Sequence, residues 1–152
     1  MRSSALILLL LAGCAPRFGS LSSGPYTCTA TPATNTCNAS LGADTEPVEL
    51  SGGGSDVISL TAPAYSAVSD TEFVWSTVQF GAQANPLSYY VDIRFPCGGG
   101  EARAVLDAQI VELGDDALRT TVAYRFTNVA GCSADGVPSC ELLFDVRCAR
   151  AR

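Results

Sequence analysis

The chain contains no histidine and no lysine, and each absence removes a class of chemistry. Without an imidazole the commonest general base is missing, so Ser-His-Asp and Cys-His arrangements cannot be assembled, and the most frequent zinc and copper ligand is gone. Without lysine there is no GxxxxGK[ST] phosphate loop, so the glycine-rich Ser51-Gly52-Gly53-Gly54-Ser55 reads as a plain turn. Two cysteines are nowhere spaced as CxxC, which argues against a metal cluster, and no cofactor motif is present. Positive charge is scarce as well. A net charge of −6 speaks against a nucleic-acid partner and against charge-driven adhesion to anionic lipid. Long apolar runs are also lacking: Ala5 to Ala12 would cover about 12 Å as a helix, against roughly 30 Å of bilayer hydrocarbon.

What is present begins at the amino terminus. Arg2 precedes the apolar run, and Leu11-Ala12-Gly13-Cys14 closes it. This stretch resembles the bacterial lipoprotein signal, the lipobox, at all four positions. The resemblance implies cleavage between Gly13 and Cys14, with Cys14 becoming the first residue and carrying diacylglycerol on sulfur and a palmitate-type acyl chain on nitrogen. A thiol suits that role because it is a far better nucleophile than a serine hydroxyl. The alternative is an ordinary signal peptide with Cys14 as one more structural thiol. Among lipoproteins an aspartate after the cysteine often retains the protein at the inner membrane. Ala15 at that position therefore leans towards the outer membrane, facing periplasm or cell surface. The expected organisation is a signal peptide over 1–13, a flexible Ser/Gly-rich tether over 14–25 and one domain over 26–152.

Seven cysteines are odd in number, and assigning Cys14 to lipid leaves six, enough for three disulfides in an oxidising compartment. Tyr26 to Asn38 is nearly symmetric about Pro32-Ala33, which predicts a hairpin that sets Cys28 opposite Cys37. Cys132 and Cys140 enclose a turn-rich loop and form a natural second pair. Elimination leaves Cys97 with Cys148. A simple meander objects, because it puts Cys97 at the same end as Cys132 and Cys140, and Cys148 a strand length away. The other solution is Cys97 with Cys132, and Cys148 reaching the N-terminal hairpin.

Alternation of period two dominates the second half of the chain. Leu87, Tyr89, Val91, Ile93 and Phe95 form one inward set; Ala102, Ala104, Leu106, Ala108 and Ile110 the next; then Leu118, Val122, Tyr124 and Phe126; then Leu142, Phe144, Val146 and Cys148. Phe73, Val74, Trp75, Val78 and Phe80 suggest a strand buried on both faces, with Trp75 in the core. Val48–Leu50 and Asp56–Leu60 are shorter candidates. Ala104–Leu113 also has the composition of a short helix. The fold class expected is all-β: an antiparallel β-sandwich or small barrel of about seven strands, braced by disulfides.

Candidate sites are few. Acids in turns, Glu101, Asp115, Asp116 and Asp135, fit no EF-hand spacing. Asp92, Asp107 and Asp145 would serve as acid and base only if two faced each other; cross-strand pairing with Arg94, Arg103, Arg119, Arg125 or Arg147 is the plainer expectation. Tyr90, beside Asp92 and Arg94 on the outward face, is a possible platform for a sugar or peptide, though packing under a loop explains it as well. The function expected is that of a non-catalytic, lipid-anchored envelope protein with a structural or binding role. A carbohydrate- or protein-recognition module and a carboxylate-based hydrolase are the alternatives.

Overall fold

The computed structural model describes residues 17–37, 41–64, 74–132 and 136–152, with backbone only for Pro63, Ala64, Val74 and Trp75. Cys14 and its apolar run, Phe73, Asp135 and the Trp75 side chain lie outside the described residues.

Eight strands follow one another: β1 (Gly24–Asn35), β2 (Asp44–Leu50), β3 (Ile58–Ala64), β4 (Val74–Phe80), β5 (Ser88–Cys97), β6 (Gly100–Leu113), β7 (Ala117–Thr127) and β8 (Ser139–Arg150). Six of them form a curled antiparallel sheet in the order β2-β1-β8-β7-β6-β5, while β3 and β4 pair in a separate ribbon. That ribbon bridges the sheet's two edges. Ser51, just past β2, exchanges backbone hydrogen bonds with Ser59 of β3 (3.0 and 2.9 Å), and β4 lies beside β5 across a turn in which the Gly81 N–H donates to the Pro86 carbonyl (2.8 Å). Each strand therefore neighbours its predecessor and β8 returns to β1. The result is a small up-and-down barrel whose ladder is interrupted at two seams.

The alternation places the core as expected in β6, β7 and β8. Ala102, Ala108 and Ile110, then Leu118, Val122, Tyr124 and Phe126, then Leu142, Phe144, Val146 and Cys148 are buried. Ala104–Leu113 is strand, not helix, because ten backbone positions of β6 pair with β7 and ten with β5. Packing on two neighbours outweighs its helical composition. A single inserted residue between Ile110 and Glu112 bulges this strand near its end.

Four expectations are corrected. First, Tyr26–Asn38 is no hairpin: Gly24–Asn35 is one extended strand, paired with β2 on one side and β8 on the other. Pro32 is tolerated there for two reasons. The β2 register ends at Ala30, leaving that side of Pro32 unpaired, and the β8 ladder slips between Pro32 and Thr34. Second, Cys28 and Cys37 therefore sit far apart, and the pairs are Cys28–Cys148, Cys37–Cys140 and Cys97–Cys132. Cys97 and Cys132 share one end of the meander, while Cys148 lies a strand length away. Cys28 and Cys148 are register partners across β1 and β8.

Third, among the described side chains of β4 only one face is buried, with Val78 and Phe80 inward and Thr77 and Gln79 exposed; β4 pairs with β3 alone in a two-stranded ribbon. On β5, an edge of the large sheet, Ile93 is likewise 54% exposed despite its inward place in the pattern. Fourth, the stretch assigned to a flexible tether is packed from Arg17 onwards. Phe18 is 0% and Leu21 2% exposed, the Phe18 N–H donates to the Ser55 carbonyl (2.9 Å), and the Phe18 carbonyl accepts from Leu21 and Gly54. Two large apolar side chains three residues apart outweigh the serines and glycine around them. Gly53 permits the fit, since a Cβ there would collide with the backbone of Ser22 and Ser23.

The Cys97–Cys132 bridge also depends on glycine. Gly98 and Gly99, both with positive φ (55° and 86°), make the two-residue turn that joins β5 to β6. A Cβ on Gly98 would stand 2.6 Å from the Cα of Gly131, so both segments need glycine where they cross beside the disulfide.

Candidate functional site

The outward face of the large sheet carries rows of side chains running across the strands. One row reads Thr45, Thr29, Arg147, Arg119, Glu112 across β2, β1, β8, β7 and β6. Two arginines directly opposite each other would repel. Asp145 resolves this: it accepts from Arg119 Nε at 2.6 Å and from Arg147 Nε at 3.3 Å, while Glu112 accepts from Arg119 Nη1 at 2.9 Å. The hydrogen bond from Arg119 is the main reason that the Asp145 carboxyl is held below the ordinary carboxylate range, with the Arg119 and Arg147 charges assisting.

Around this row the curled sheet forms an open groove of about 700 Å³ on its outward face, lined by Thr27, Thr29, Glu112, Ala117, Arg119 and Arg147 among others. Thr29 and Thr45 share a hydroxyl hydrogen bond of 2.9 Å at its side. The Arg147 side chain is 70% exposed and engages acid through Nε alone among the described residues, so its two terminal nitrogens are available to a ligand. A guanidinium fork beside threonine hydroxyls suits a carboxylate, a phosphate or a polyhydroxy compound.

Tyr90, Asp92 and Arg94 lie elsewhere, on the outward face of edge strand β5, and none of them lines this groove. Asp92 accepts a bidentate pair of hydrogen bonds from Arg103, both 2.8 Å, and is held below the ordinary carboxylate range chiefly by that bond. Arg94 pairs with Glu101 at 3.1 Å. The Tyr90 backbone is clasped by the Gln83 amide, whose oxygen accepts from the Tyr90 N–H and whose nitrogen donates to the Tyr90 carbonyl, both at 2.8 Å. Gln83 thus occupies part of the barrel's open edge in the way another strand would.

The three carboxylates considered as acid and base each meet arginine. Asp92 faces Arg103, Asp145 faces Arg119 and Arg147, and Asp107 lies 3.9 Å from Arg125, which also binds Glu141 at 3.0 Å. Asp116 pairs with Arg150 at 3.3 Å. Val105 and Ala123 are nonetheless buried on this outward face, beneath the ion pairs. Alternation shows which side chains share a face. The groove brings together residues of β1, β6, β7 and β8, which no local pattern announces.

Compared with known proteins, this chain matches no family model, and neither a curated protein nor a solved structure is significantly similar to it.

The central pair is open to titration. Replacing Arg119 by glutamine (R119Q) is expected to raise the Asp145 midpoint towards the ordinary carboxylate value, read by carbon NMR of the carboxyl group. The sign for stability follows. A depressed folded-state value means that the Arg119–Asp145 contribution is present above the unfolded carboxylate value and is lost as pH falls through the folded one. An unchanged Asp145 midpoint in R119Q would show that the bond carries no such coupling.

Proposed function

We propose that this protein is a lipid-anchored component of a bacterial cell envelope, held through Cys14, whose β domain has a structural or binding role without catalysis. The observation that carries the proposal is the cysteine account. Three disulfides take up all six cysteines that follow Cys14, so the odd thiol is the one that stands in Leu11-Ala12-Gly13-Cys14. Disulfides spanning the first and last strands also suit an exported chain. Ala15 after the anchor favours the outer membrane.

A Cys14→Ser variant tests this directly. Wild-type protein expressed in a bacterium is expected to take up radiolabelled palmitate and to partition into detergent, whereas the variant remains unlabelled and aqueous. Label and detergent partition retained by Cys14→Ser would overturn the proposal.

The groove around Arg147 supports a second reading, recognition of a protein or glycan ligand, and moves the suggested surface away from Tyr90. Against a carboxylate-based hydrolase stands the pairing of Asp92 and Asp145 with arginines, since a carboxylate held ionised makes a poor general acid.

A further inference from the structure

The order that begins at Arg17 bears on how the domain meets its membrane. Arg17 donates its backbone N–H to Asp56 Oδ1 at 2.7 Å, and Phe18 is already fully buried. Only Ala15 and Pro16 lie between Cys14 and Arg17, and three fully extended residue steps reach only about 11 Å. If Cys14 is acylated, as proposed above, the domain cannot stand off from the bilayer.

Which end of the barrel lies closest is also determined. The Arg17–Ser23 segment is fastened to the β2–β3 turn through Ser55 and Asp56 and to the β6–β7 turn through the Ser22 N–H bond to the Asp115 carbonyl (3.2 Å). Gly81, which opens the β4–β5 turn, packs against the backbone of Asp56. Three turns and the chain's last residues, Arg150–Arg152, therefore share the end that the anchor holds. The Cys37–Cys140 and Cys97–Cys132 bridges sit at the opposite end.

That anchored end is where exposed apolar surface collects. Six large apolar side chains are exposed among the described residues, and four of them belong to it: Val57, Leu87, Val111 and Leu113, each 38 to 48% exposed. Leu87 and the bulged end of β6 are joined by the Ile110 N–H bond to the Leu87 carbonyl (2.8 Å). The charges nearby are mixed, with no excess of basic residues: Glu49, Asp56, Glu112, Asp115 and Asp116 against Arg17, Arg119, Arg150 and Arg152.

We infer that this end is a membrane-apposed surface, in which Val57, Leu87, Val111 and Leu113 rest in the headgroup layer and hold the barrel upright on the bilayer. The partner is the lipid surface itself. Without an excess of basic residues the contact is apolar in origin, so it needs no anionic lipid and is insensitive to salt.

Hydroxyl-radical footprinting tests the inference without altering the surface. Protein extracted from its membrane is reconstituted into phosphatidylcholine vesicles and compared with the soluble Cys14→Ser form. Oxidation of Val57, Leu87, Val111 and Leu113 is expected to fall several-fold on the vesicles, at low and high salt alike, while Tyr90 and Ile93 react as in the soluble form. Equal oxidation of all six residues in both forms, for protein that co-sediments with the vesicles and carries lipid by mass spectrometry, overturns the apposition and leaves the anchor standing. Protection extending to Tyr90 and Ile93 also overturns it, in favour of contact between copies. Failure to find lipid on Cys14 overturns the anchor instead.

Discussion

Removing both bridges that tie β1 to β8, as Cys28→Ala with Cys148→Ala and Cys37→Ala with Cys140→Ala, is expected to destabilise the domain by more than twice the loss of either pair alone. The two disulfides are nested, with sequence separations of 120 and 103 residues. Once one is closed, the other has only nine residues from Cys28 to Cys37 and eight from Cys140 to Cys148 left to constrain. A loop of that length is worth about 3 kcal/mol, whereas the first closure of a loop near a hundred residues is worth about 4.7 kcal/mol. Each single removal therefore costs about 3 kcal/mol and the double removal about 8 kcal/mol. Against the roughly 5 to 15 kcal/mol by which domains of this kind are stable, the double variant is near or past its limit. Denaturant titration of the three variants decides the matter. A double loss equal to the sum of the singles would show that the bridges act independently, contrary to the nesting.

Phe18→Ala is expected to lower stability by about 3 kcal/mol, the range for a large aromatic removed from a packed site. Its denaturation midpoint should fall with little change in slope. Phe18 is fully buried and its backbone bonds to Gly54 and Ser55 of the β2–β3 turn, so the loss combines a cavity with slack in the segment. Ser20→Gly, nearby and exposed, should change stability by less than about 0.5 kcal/mol. If Phe18→Ala behaves like Ser20→Gly, the segment is a tether after all. The order of Arg17–Ser23 also sets the distance between anchor and barrel, so a destabilised Phe18 variant should lose protection of Leu113 on vesicles before it loses its lipid.

Much of the barrel can be read along the chain because β-structure writes its burial locally. In β7 and β8 the inward residues alternate without a break from Leu118 to Phe126 and from Cys140 to Cys148, and all are buried. The Gly114-Asp115-Asp116 turn is equally local, closed by the Gly114 N–H bond to the Ala117 carbonyl (2.8 Å). The pairing of Asp92, Asp107 and Asp145 with arginines follows from the same alternation, since opposite charges on one face of neighbouring strands come within reach.

The failures share a cause too. Pro32-Ala33 looks like a turn by composition, yet it lies within a strand because β8, more than a hundred residues away, supplies partners on both sides of it, from Tyr26 to Pro32 and at Thr34 and Asn35. Phe18 looks solitary among serines because the turns that hold its segment come from Ser51–Asp56 and, through Ser22, from Asp115. Ile93 carries the inward signature and is exposed because β5 is an edge of the large sheet.

By itself, then, the sequence determined the antiparallel β character, the inward faces of β6 to β8, the even set of six cysteines and the lipobox resemblance of Cys14, all of which depend on spacing along a single segment. Only the tertiary structure decided which cysteines meet, which strands are edges, where the outward face curls into a groove, and that the segment after the anchor packs down. These depend on which distant strands lie side by side, and alternation of side chains is the same whichever neighbour a strand takes.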